Sequence, residues 1–200
     1  MKINFTKNST SGVHEVHLLY KVNDEIQLSK SAIVSDRFNV ILDKTGDHHK
    51  FKGNFLDSFF ITHNNHDALF ISIGDPNKLD ENKLEKVGGA IYSKLQERGT
   101  QGKVQILVDD DIKISVTNIA FGMQLKEYKF DKYFTKKDKE ETNFEIDIVQ
   151  DTDLTKVQEE YKNKDAMIQG ISFAKDLISE PSNVLYPQSY ADRVLAMGVD

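Results

Sequence analysis

Ala68-Leu-Phe-Ile-Ser-Ile-Gly74 is the stretch on which the fold turns. It is an almost unbroken run of apolar β-formers, the pattern of a central strand covered on both faces. Asp75-Pro-Asn-Lys after it reads as a turn, and Asp80 caps a helix over residues 81–98. Leu84, Val87, Ile91 and Leu95 recur there at helical spacing, and Gly99 stands where the helix must end. Gly88-Gly89 inside that helix costs ~1 kcal/mol per residue relative to alanine, so the pair implies close packing, here expected against a sheet. Residues 104–108 form a second strand of buried pattern. Asp109-Asp110-Asp111 then leads into a helix expected to reach about Tyr128, with Ile112, Val116, Ile119, Ala120 and Met123 facing inward.

Toward the N-terminus, residues 3–6, 15–20 and 55–62 read as strands, with a polar turn at 23–25. Residues 32–34 are apolar and brief. Asp36 can cap a short helix bearing Phe38, Ile41 and Leu42 on one face, with Gly46 past its end. Toward the C-terminus, residues 126–143 are a charged, aromatic-rich linker and 144–149 a late strand. Thr152 or Asp153 caps a long helix whose apolar positions include Leu154, Val157, Tyr161, Ile168, Ile171, Leu177 and Ile178. That helix stops at Pro181, and another begins after Pro187. Strands alternating with helices of these lengths define an α/β three-layer sandwich with a mixed sheet. The expected plan is an N-terminal α/β domain at 1–150, a connecting helix at 151–181, and the first residues of a further domain at 182–200.

Composition narrows the function. The 200 residues are 38% hydrophobic and 29% charged, ordinary for a globular chain that folds without staples. The absence of cysteine excludes disulfides, thiolate metal sites and a thiol nucleophile. No apolar run approaches the ~18 residues of a membrane span, and the first residues lack a signal core, so a cytoplasmic setting is expected. A net charge of −6 opposes non-specific attraction to nucleic acid.

The candidate chemistry is sparse. His63, His66 and Asp67, and Asp47, His48 and His49, are the His/Asp clusters, but they fall on polar loops that do not fix a ligand geometry. His14 and His17, three apart on a strand, point to opposite faces. Asp109, Asp110 and Asp111 lack the staggered spacing of a calcium loop and fit the start of a helix, where acids complement the dipole. Lys126, Lys129, Lys132, Lys136, Lys137 and Lys139 interleave with Tyr128, Phe130, Tyr133 and Phe134, as a single-strand binder would have them. Glu127, Asp131, Asp138, Glu140 and Glu141 cancel most of that charge, which favours a connector whose aromatics dock on the domain. Gly74-Asp75-Pro76 and Gly88-Gly89 do not form a phosphate-cradling loop. Asn183 reads as a turn or cap residue at the bend after Pro181. No catalytic, cofactor-binding or metal-binding residue is assigned in this chain.

At its C-terminal end the sequence becomes recognisable. Ala174-Lys-Asp-Leu-Ile-Ser-Glu-Pro-Ser-Asn-Val-Leu-Tyr-Pro-Gln-Ser-Tyr-Ala-Asp-Arg193 resembles the interdomain segment of the cytosolic leucyl aminopeptidase family. Lys175 stands where that family usually has Arg, and Ser179 where it usually has Asn. Ile73-Gly-Asp-Pro-Asn-Lys-Leu-Asp80 with Lys86-Val-Gly-Gly-Ala90 is similar to the strand–turn–helix of its N-terminal domain. Ala120-Phe-Gly-Met-Gln-Leu-Lys-Glu-Tyr-Lys-Phe-Asp-Lys-Tyr133 is similar to its later helix and aromatic tail. Together these patches cover about half the chain.

The resemblance implies a macro-domain-like fold in a two-domain exopeptidase that removes N-terminal residues, preferentially leucine. It implies two divalent metals, manganese or zinc, that polarise the scissile carbonyl and activate water. It implies a homo-hexamer acting on peptides in the cytoplasm, with the metal ligands and catalytic residues in a C-terminal domain that this chain does not contain. The chain alone is expected to be monomeric. A nucleic-acid-binding accessory module and a macro-domain-like nucleotide binder are the alternatives.

Overall fold

The computed structural model describes residues 1–23, 25–28, 51–63, 66–109, 115–135 and 143–198. The brief apolar stretch at 32–34 and the Asp36-capped helix lie outside those residues, as do Asp47, His48 and His49.

Among the described residues the strands are β1 (Lys2–Thr6), β2 (His14–Val22), β3 (Glu25–Leu28), β4 (Ser58–His63), β5 (His66–Gly74), β6 (Gly102–Leu107) and β7 (Phe144–Val149). The helices are α1 (Glu81–Arg98), α2 (Val116–Glu127), α3 (Leu154–Ser179) and α4 (Pro187–Leu195). The sheet runs β1-β7-β6-β2-β5-β4, with β3 also paired to β2. Neighbours from β1 to β5 are parallel, while β4 on β5 and β3 on β2 are antiparallel, so the sheet is mixed as expected. β6 pairs with β2 over His14–His17 and β3 takes over from Leu19 to Val22.

Side-chain alternation divides the sheet. On one face Val16, Leu18, Leu69, Ile71, Val104, Ile106, Ile146 and Ile148 are buried with Leu84, Val87, Ile91 and Leu95 of α1 and Ile119 and Met123 of α2. Fully burying each such side chain contributes ~1.5–3 kcal/mol, so this cluster dominates folding. The other face carries a smaller cluster, Leu19, Phe59, Ala68 and Phe70, with Phe51 and Ile61 against it. Beyond it that face turns polar. Asn4 donates to Asp147 at 2.9 Å, Lys103 meets Asp147 at 2.7 Å, and Gln105 donates to Glu15 at 3.0 Å.

The glycines have a different reason from the expected one. A Cβ on Gly88 would lie 2.0 Å from the Ile119 carbonyl oxygen, and one on Gly122 1.9 Å from that of Glu85. The close approach is helix on helix, α1 on α2. Gly122 is its second half, which the Gly-Gly signal alone did not reveal. The helix after the aspartates also begins later than expected, at Val116 with Ser115 as cap residue. Asp109 therefore does not occupy its first turn. Asp109 is buried just past β6, whereas Asp110, Asp111 and Ile112 lie outside the described residues.

A surface lock joins the β4–β5 hairpin to the end of α1. Arg98 grips both Asp67 oxygens at 3.0 Å, donates to the Thr62 hydroxyl at 2.8 Å, and lies 5.4 Å over the Phe60 ring. The Arg98 guanidinium holds the Asp67 carboxyl below its usual range. Because Arg98 is partly solvated, Arg98→Ala should cost only roughly 1 kcal/mol, combining a screened bidentate pair with a cation–π contact. A urea-melt midpoint reads this directly.

Candidate functional site

Two places in the fold could carry function: the carboxyl ends of the parallel strands, and the far end of α3. Open α/β sheets bind ligands in the crevice outside the carboxyl ends of their strands, often with an anion on a helix N-terminus. Here that end is internally occupied. Glu160 of α3 accepts hydrogen bonds from the hydroxyls of Ser115 and Thr117 at the start of α2. Burial raises the Glu160 carboxyl, but the bonds from Thr117 and Ser115 and the charge of Lys164 outweigh this and hold it below the usual range. A carboxylate of the chain thus already engages the hydroxyls at the start of α2. Nearby, Tyr20 is buried, and burial with the Asp109 charge pushes its phenol well up. Asp75, after β5, spends its side chain on the Asn77 amide at 3.0 Å, so this loop is a capped turn.

The predicted histidine and acid clusters separate. The His63 side chain lies outside the described residues. His66 meets His14 instead, ring centroids 5.8 Å apart, and His14 Nδ1 accepts the Asp67 amide at 3.0 Å. His17 is buried on the opposite face, stacked 4.8 Å from Phe70 and 2.9 Å from Glu15. Burial raises the Glu15 carboxyl, but its contacts with His17 and Gln105 prevail and hold it low. Among the described residues, no three His, Cys, Asp or Glu side chains are grouped to hold a metal ion. No chemical step is assigned to the described residues.

The far end of α3 is where the charged connector lands. The residue before a proline is pushed out of the helical region, and Glu180 accordingly leaves α3 extended, at φ −68° and ψ 136°. Its side chain, only 2% exposed, meets Lys132 Nζ at 2.6 Å and Arg193 Nη2 at 3.2 Å, and accepts a hydrogen bond from the Tyr133 hydroxyl. These donors, Lys132 first, hold the Glu180 carboxyl down at about 2. Tyr128 donates to Asp176 at 2.7 Å, and Lys175 sits 4.9 Å over the Tyr128 ring. Phe130 meets Tyr133 edge-on at 5.8 Å. Lys132 is thus paired and Phe134 exposed, while Lys136, Lys137 and Lys139 fall outside the described residues.

Past Pro181 the chain turns tightly. The amides of Val184 and Leu185 both donate to the Pro181 carbonyl at 2.9 Å. Asn183 is exposed, and the bend is fixed by Pro181 and these amides. Pro187 opens α4, where Ser189 Oγ accepts the Tyr186 amide at 2.9 Å. Sequence reasoning found this segment but missed Glu180 and Arg193 as its central pair. The Glu-Pro dipeptide was the available signal.

Together these features define an α/β fold with a mixed sheet and a long helix, α3, pinned at its far end to the charged connector. The profile of the cytosol aminopeptidase family, N-terminal domain, matches residues 19–137. The chain belongs to that family. It is 32% identical over 158 residues to a probable cytosol aminopeptidase of Wolbachia pipientis wMel, a match covering 77% of this chain and 30% of the relative. It is 36% identical over 129 residues to one of Ehrlichia ruminantium (strain Gardel), covering 64% and 25%. A tomato leucine aminopeptidase mutant shares the fold at a TM-score of 0.81 and 14% identity, over 98% of this chain and 42% of that one. A bottromycin maturation enzyme does so at 0.62 and 14%, over 94% and 38%. The chain thus spans under a third of the length of these curated relatives. Among the described residues no helix is long and apolar enough to cross a membrane.

Proposed function

We propose that this chain is the non-catalytic N-terminal domain of a leucyl aminopeptidase, a cytoplasmic two-metal exopeptidase that releases N-terminal residues, leucine preferentially, from peptides. In this reading residues 1–150 are the domain proper, 151–181 its connecting helix and 182–200 the entry to a catalytic domain. That further domain holds manganese or zinc on its own side chains. The role of this part is assembly: it places catalytic domains in a homo-hexamer and narrows access to their sites. Alone it is a monomer without activity.

The observation that supports the reading is the Glu180 lock, which ties Lys132 and Tyr133 of the family-matched region to the end of α3. The test uses the protein extended to the length of its relatives. With manganese, the extended protein is expected to release p-nitroaniline from Leu-p-nitroanilide, and the 200-residue chain to release none. An extended protein without metal-dependent release of leucine would refute the proposal.

A further inference from the structure

The groove between the connector and the end of α3 encloses about 290 Å³. Drug-sized ligands occupy pockets of ~300–1,000 Å³, so this one, at the small end, suits a single small molecule. Its apolar wall is Phe130, Phe173 and Leu177. Its charges are three cations and three carboxylates. Lys132 and Arg193 share the one Glu180 carboxylate, leaving that cluster a net positive charge. A guanidinium has five N–H donors, and Arg193 spends one of them on Glu180. Lys129 also lines the groove and makes no hydrogen bond or ion pair with a described residue. Against these cations stand Asp131 and Asp176, and Asp176 commits only Oδ1 to Tyr128.

This balance selects the ligand. A phosphate would meet three carboxylates in the same small space, and a polyamine would meet three cations. A molecule carrying both charges on one carbon, beside an apolar group, satisfies every part of the lining. We propose that the groove binds a free α-amino acid with an apolar side chain: its carboxylate on Arg193 and Lys129, its ammonium on Asp176, its side chain against Phe130, Phe173 and Leu177. The site is built from this chain alone, so it stands or falls separately from the peptidase assignment. Should that assignment hold, the ligand is of the class the enzyme releases.

Isothermal titration of the 200-residue chain with L-leucine tests it, beside 4-methylpentanoate, 3-methylbutylamine and inorganic phosphate. Leucine should give saturable heat. Each one-charge analogue should bind roughly tenfold to a hundredfold more weakly, the effect of losing one charged hydrogen-bonding partner. Lys129→Ala and Asp176→Asn should each weaken leucine, while Lys126→Ala, outside the groove, should not. Lys129 is exposed and unpaired among the described residues, so its removal spares the fold, and circular dichroism melts confirm this for each variant. No saturable heat with millimolar leucine overturns the proposal. So does 4-methylpentanoate or phosphate binding as tightly as leucine, or unchanged binding in both groove variants.

Discussion

Replacing Gly122 by alanine is expected to lower the thermal midpoint by roughly 6–12 °C, the equivalent of about 3 kcal/mol in a domain of this size. A methyl at that position would lie 1.9 Å from the Glu85 carbonyl oxygen and 2.6 Å from its carbon. Both are backbone atoms of α1, so no side-chain rotation relieves the clash and the helices must part. Parting them loosens Val87, Ile91, Ile119 and Met123, which are fully buried around the contact. Overpacking typically costs ~1–3 kcal/mol. The upper end applies here, even after alanine's better helix propensity returns ~1 kcal/mol. Gly170→Ala is the control. Gly170 lies on exposed α3 with nothing within 4 Å of the added carbon, so the same substitution should stabilise by up to ~1 kcal/mol. Equal melting points for the two variants would show that α1 and α2 can separate freely.

That contact marks the boundary of what the chain states locally. β5, α1 and β6 were legible because their apolar positions repeat at one period and their caps are explicit. Asp80 accepts the Lys83 amide at 2.7 Å, and Gly99 closes the helix at φ 74°. The partner of Gly88 was not legible, since it lies on another helix and depends on which elements meet. The start of α2 was misjudged for a related reason. Three aspartates resemble a helix entrance, but Ser115 serves as the cap residue and the carboxylate at that end is Glu160, supplied by α3. The same holds for His14, whose strand register brings it to His66 and Asp67 across fifty residues. Long-range pairings of this kind decide electrostatics and leave no period in the sequence. The bend after α3 was legible as a motif because Pro181 and Pro187 constrain the backbone wherever they occur. Which side chains converge on it became visible only in three dimensions.

Glu180→Gln is expected to free the connector while leaving the core folded. The wild-type carboxylate accepts from Lys132, Tyr133 and Arg193, and glutamine offers those two cations only a neutral oxygen. Among the described residues, none of the connector side chains belongs to either core cluster, so the opening is local. Trypsin cleavage after Lys129 and Lys132 should therefore rise about tenfold, as expected when cleavage follows the population of a locally opened state. The melting point should fall much less than in Gly122→Ala. Acid should imitate the substitution. The folded Glu180 carboxyl, at about 2, lies below its ordinary 4.5. The unfolded chain therefore binds the extra proton between those values. The contribution is complete above about 4.5 and lost as the pH falls toward 2. The Tyr133 ring resonances, followed by NMR, should titrate with a midpoint near 2 in the wild type and show no such step in Glu180→Gln. A wild-type midpoint near 4.5, or a trypsin pattern indifferent to the substitution, would mean that the three donors do not hold this carboxylate in solution. The direction of α4 after α3 would then rest on Pro181 and the Val184 and Leu185 amides alone.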